Sequence, residues 1–181
     1  MRGTGSTAGK GKSAARAIRT DITPYTQRPV ELWLRNHVLP RLPESHRFEI
    51  DETLGGNKAP LSVRMGFLLR HLPARKIRVL EVSPKLSVAA LAMELELPRR
   101  LVAGYRNLEQ GAHAREEFIE ALGERHGVFI YERDARKLSH NLASFDAFIC
   151  AFTALLADQN LCAKPPSGFP AEAGWVHYPA F

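Results

Sequence analysis

The run Leu142 to Ala157 (LASFDAFICAFTALLA) holds a single charged residue, Asp146, in a segment otherwise so apolar that it must be buried on most of its circumference. An ionised carboxylate taken out of water without a partner is costly, so Asp146 must be paired, capped, protonated or bound to a metal. Two of these options have local support. If Ser144 is the helix N-cap, Asp146 lies in the first turn, where the helix dipole favours a negative charge by about 0.3–1 kcal/mol. If Asp146 binds a metal, it becomes a candidate catalytic ligand.

The rest of the chain limits what such a helix can belong to. A length of 181 residues, 45% of them hydrophobic, suffices for one globular domain with a core and is short for two. The net charge of +6 invites an acidic partner such as nucleic acid, but the excess is concentrated at one end. The first twenty residues hold Arg2, Lys10, Lys12, Arg16 and Arg19 and no acid. From Asp21 onward, 20 bases face 19 acids, a net of +1. Residues 1–18, rich in Gly, Ser, Thr and Lys, read as a disordered basic arm, with Lys10, Lys12, Arg16 and Arg19 as the candidate nucleic-acid-binding residues. Gly11-Lys12-Ser13 matches the end of a phosphate loop. The first glycine of that motif would fall at Ser6, however, and no apolar strand precedes it.

Cys150 and Cys162 are the only cysteines, and neither belongs to a disulfide framework or a thiolate metal site, which fits a reducing, cytoplasmic compartment. No segment approaches the ~20 apolar residues of a membrane span.

Helical spacing of Val30, Trp33, Leu34 and Val38 predicts a helix over Pro29 to Leu39. A polar segment from Pro43 to Pro60 reads as an ordered loop, and a second helix is expected from Leu61 to Leu72, with Val63, Phe67 and Leu68 on one face. Ile77 to Val82 (IRVLEV) has the profile of a buried strand feeding a helix at Leu86 to Glu94. A charged amphipathic helix at Ala112 to Arg125, a strand at Val128 to Tyr131, the helix of Asp146 and a short edge strand within Gly174 to Tyr178 complete an α/β pattern.

Glu81 ends the strand IRVLEV, and sites in open α/β sheets gather at the carboxyl ends of strands. Equally, it can point out of the sheet or pair with an arginine such as Arg78 or Arg106. The seven histidines form no two-histidine helical pair around a glutamate, so a zinc hydrolase has no support. His140, less than two turns before Asp146, is the one histidine placed to orient a phosphate or water, with a solvated helix entry as the alternative. No Gly-x-Ser-x-Gly elbow or flanked nucleophilic cysteine supports acyl transfer.

Several separated pieces occur in a meaningful order: Arg19-Thr20-Asp21, Pro60-Leu61-Ser62-Val63-Arg64-Met65, Val79-Leu80-Glu81-Val82-Ser83-Pro84, Tyr105-Arg106, Phe145-Asp146-Ala147 with Ala151, and Gly174-Trp175-Val176 with Pro179. On these pieces the chain resembles, from Arg19 to Pro179, the predicted nucleases of domain of unknown function 429, which are assigned an RNase H-like fold. The resemblance implies metal-dependent phosphodiester hydrolysis with Mg²⁺ or Mn²⁺ held by carboxylates. It makes Asp146 the ligand from the final helix and Glu81 the acid of a Glu-Val-x-Pro strand, either ligand or structural anchor. Full-length relatives begin with an aspartate-bearing strand and hairpin and a further strand ending in Asp-x-Pro, and this sequence shows neither before Arg19. The expectation is therefore the C-terminal part of an RNase H-like domain over 19–181. Its ion site lacks ligands that Asp51, in a loop, is not placed to replace.

The alternative expectation is a non-catalytic module that binds a partner at an exposed sheet edge, or nucleic acid through the basic arm. Uncovered apolar surface would favour a homo-oligomer.

Overall fold

In the computed structural model, which describes residues 27–54, 59–72 and 77–181, Pro29 starts helix α1 (Pro29–Trp33). Glu31 at the third helical position accepts a hydrogen bond from the Arg28 backbone N–H at 3.1 Å, satisfying one of the donors that a helix start leaves unpaired. The helix then widens over Leu34–Val38 and tightens over Leu39–Arg41, so the helical path runs two residues beyond the expected end. Pro40 sits within that last tight turn, where its missing N–H leaves no bond unmade.

Helices α2 (Ala59–His71), α3 (Pro84–Glu94), α4 (Arg99–Gly104), α5 (Gly111–His126), α6 (Glu132–His140) and α7 (Leu142–Asp158) follow. Strands β1 (Glu81–Val82) and β2 (Val176–His177) pair in parallel, Glu81 opposite Val176 and Val82 opposite His177. The molecule thus combines helices with a parallel sheet, but the described residues are mainly helical and their one sheet has two short strands.

Two expected strands shrink for local reasons. In Ile77 to Val82 only the last two residues pair, because Gly174 (φ 71°) turns the partner chain away one residue before the Trp175 indole N–H donates to Ala163 O at 2.9 Å. At the other end Ser83 caps α3 through its side chain. Val128 to Tyr131 lies outside any helix but pairs with no strand among the described residues, and Tyr131, in extended backbone, precedes α6 as its N-cap.

Burial also departs from expectation. The helix covered on all sides is α3, where Leu86 to Ala92 are all buried, whereas α7 buries one face, Phe145, Ile149, Phe152, Thr153 and Leu156. Ala143, Ala147, Ala151 and Leu155 of α7 face outward. One core gathers Val88, Leu91, Phe118, Leu122, Phe145 and Ile149; the other gathers Val30, Leu34, Val38, Leu42, Leu86, Ala89, Val176 and Tyr178. Helix α3 supplies a wall to both. Its one polar contact inward is satisfied, since the buried Thr153 hydroxyl donates to Ser87 Oγ at 3.0 Å.

Candidate functional site

Glu81 is held by an arginine, though by neither of the two suggested by the sequence. Arg28 Nη1 and Nη2 donate to its two carboxylate oxygens at 2.8 and 2.6 Å, a forked arrangement that engages both oxygens. The same guanidinium donates to Glu31 at 2.9 Å and to Thr53 Oγ1 at 3.0 Å. The bond to Glu81 is the largest influence in raising the Arg28 pKa, against the opposing effect of burial. Burial works to raise the Glu31 carboxyl, but hydrogen bonds from Thr53 and Arg28 outweigh it and hold Glu31 below its ordinary value of 4.5. Glu81 is thus the outer member of a knot that ties α1 to β1 and to the loop at Thr53.

Asp146 is not in the first turn of its helix. Asn141, not Ser144, is the N-cap, its side chain accepting from the Ser144 N–H at 2.9 Å, which puts Asp146 in the second turn. Asp146 Oδ2 accepts from Arg106 Nη1 at 3.1 Å, with the Asp146 side chain 23% exposed. Asp146 Oδ1 is buried and has no hydrogen-bond partner among the described residues. Beside this pair the Tyr105 hydroxyl is pushed up to about 12, first by burial and further by the charges of Asp146 and Asp51, with Arg106 pulling the other way. Asp51 itself pairs with Lys85 at 2.9 Å, at the start of α3. Burial, helped by the charge of Asp146, also pushes the Cys150 thiol up to about 11, which leaves it a poor nucleophile.

A divalent ion needs several unengaged oxygens at one place. Glu81 has none to offer, Asp146 has one, and among the described residues no three His, Cys, Asp or Glu side chains come together as ligands. Among the described residues, the donor set does not fit a Mg²⁺ or Mn²⁺ pair. His140 is exposed, its Nδ1 in contact with Arg136 O at 2.9 Å within its own helix. Lys10, Lys12, Arg16 and Arg19 lie outside the described residues.

Arg115 belongs to none of the motifs that the sequence displays. It sits among Ala114, Phe118, Ile119 and Leu122 on the inner face of α5, 1% exposed, and its guanidinium donates to the carbonyls of Ser139, Tyr105 and Asn107. The ends of α4 and α6 thereby share one cation, which suits the negative ends of two helix dipoles. The signal was available, because position 115 shares the spacing of the apolar residues 111, 114, 118 and 122.

A groove of about 440 Å³ lies between α5, α6 and the unpaired segment 128–131. Its floor holds Ile119, Ile130 and Ala135, and Glu116 and Glu120 stand one helical turn apart on its rim. Phe129 and Tyr131, 79% and 70% exposed, meet edge to face with ring centroids 5.1 Å apart. No single helix among the described residues is long and apolar enough to cross a membrane. Compared with protein-family models, curated proteins and solved structures, the chain matches none.

Proposed function

We propose that the chain is a non-catalytic binding module whose groove between α5 and α6 takes an apolar, basic helical segment. The observation that carries this reading is the exposure of Phe129 and Tyr131 on a segment outside helix and sheet that pairs with no strand among the described residues. Two large aromatic rings in water are a standing cost that a partner removes, and aromatic residues are the usual anchors of interfaces. The rim defines the partner's charge. Glu116 and Glu120 are exposed, while the third carboxylate of the groove, Glu132, is already paired with Arg136 at 2.7 Å. A helix carrying Leu or Phe at i, i+3 and i+7 with Lys or Arg beside them meets both requirements.

The test is fluorescence anisotropy with a labelled synthetic amphipathic peptide of Leu and Lys residues, titrated with the full chain. Phe129→Ala and Tyr131→Ala are each expected to weaken binding by about tenfold or more, as for anchor residues. Affinity untouched by both substitutions would place any binding outside the groove and end this reading.

A second reading, the metal-dependent nuclease of RNase H-like fold, has the unpartnered Asp146 Oδ1 in its favour. It requires that calorimetric titration with Mn²⁺ show uptake that Asp146→Asn removes without lowering the melting temperature. Absence of uptake at millimolar Mn²⁺ leaves Asp146 as the partner of Arg106 alone.

A further inference from the structure

Helix α2 is the natural complement of this groove. Among its thirteen residues, Leu61, Val63, Phe67, Leu68 and Leu69 are all more than 40% exposed, with Val63 at 75%. The helix contains Arg64, Arg70 and His71 and no acid, and both arginines are exposed. Its length, about 20 Å at 1.5 Å per residue, is enough to lie along a groove between two helices. Leu61, Met65 and Leu68 follow the i, i+4, i+7 spacing by which a helix presents one apolar face to a groove, with Arg64 beside them. The same chain therefore exposes an apolar helix with uncompensated positive charge and an apolar groove with an acidic rim.

Resting on the groove reading above, we propose that α2 of one copy docks between α5 and α6 of a second copy, Arg64 facing Glu116 and Glu120. Charge argues for this pairing over two α2 helices packed on each other, which would bring like charges together. The contact joins helix to groove, and when each of two copies gives its α2 to the other the two-fold arrangement closes as an isologous dimer.

Sedimentation velocity on the full chain over a concentration series is the test. The parent is expected to dimerise. The groove variant Glu116→Lys/Glu120→Lys and the helix variant Arg64→Glu should each raise the dissociation constant by about tenfold or more. All three side chains are exposed, so melting curves should match the parent. Mixing the two variants should restore association, because the unaltered helix of one meets the unaltered groove of the other. Association that survives both reversals overturns the proposal by placing the interface elsewhere. Dimerisation that emerges only after residues 1–18 are removed also overturns it, because the chain's own basic arm then fills the groove. A chain that stays monomeric yet binds the Leu and Lys peptide in the groove overturns self-docking and leaves the module reading standing. A monomer that binds no peptide removes both.

Discussion

A single buried guanidinium determines how four segments meet. Arg115 reaches backbone carbonyls at the ends of α4 and α6 and in the turn at Asn107, and Gly111 makes room for it. A Cβ at position 111 would stand 2.6 Å from Arg115 Nη1, 2.8 Å from Tyr105 O and 2.9 Å from Gly104 O, and two of those neighbours are backbone that cannot give way. Arg115→Lys keeps the charge but cannot span carbonyls on both sides, so urea unfolding should show a loss of about 3 kcal/mol or more. Gly111→Ala should destabilise through the same carbonyls.

Two other buried groups set the acid limit. The His46 imidazole is held below its ordinary 6.5 by burial and by the charge of Arg99, so the unfolded chain takes a proton there more readily. The stability it contributes is present above pH 6.5 and is lost as pH falls from there through the folded value. Glu31, also depressed, contributes stability that is present above 4.5 and is lost as pH falls through its lower folded value. Melting temperature against pH should therefore decline in two stages. His46→Gln should flatten the upper stage and Glu31→Gln the lower, and an unchanged profile in either variant removes that group from the account.

At the scale of elements, the corner between α6 and α7 turns on one residue. Asn141 ends α6 by donating its N–H to Lys137 O at 3.1 Å and begins α7 by capping Ser144, while the two axes bend by 114°. Asn141→Ala should cost about 0.5–2 kcal/mol, read from denaturant midpoints, because the α7 start then loses its side-chain acceptor. Sequence periodicity located α1, α2, α3, α5 and α7, since a 3.6-residue repeat of apolar positions survives in any fold, but it passed over the short α4 and the largely polar α6. It misjudged which faces are covered: α7 is apolar enough to be buried throughout, yet α3, rich in alanine, fits the middle and α7 the outside. Packing between distant segments decides that question, and a single sequence does not contain it. The strand expectations failed for a related reason. Ile77 to Tyr131 contains two stretches of β-forming residues, but a strand exists only where a partner backbone lies alongside, and Val176–His177 is the sole partner among the described residues. In the candidate site the reading located Asp146 and Glu81 as carboxylates needing partners. The identities of those partners, Arg106 and Arg28, come from positions 40 and 53 residues away.

For the whole molecule, two cores with a common wall should behave as one cooperative unit. Trp33 and Trp175 pack on the core that holds Val30 and Val176, whereas far-UV circular dichroism is weighted toward the longer helices α5 and α7 around the other core. The two signals should unfold at the same denaturant concentration. Leu91→Ala, a fully buried deletion facing the core of Phe118 and Phe145, should cost about 2–5 kcal/mol and move both signals together. Separate midpoints would mean that the cores are independent.

Helix α3 also dictates how this chain could be cut, permuted or grafted. A fragment that stops before Pro84 or starts after Glu94 leaves an apolar trough where Leu86 or Leu91 had been, so neither half inherits a closed interior. A circular permutant has to keep residues 84–94 inside the chain, well away from its new ends. The exposed tip around Ser167 and Gly168, remote in sequence from that helix, is the joint at which the chain should tolerate being reopened.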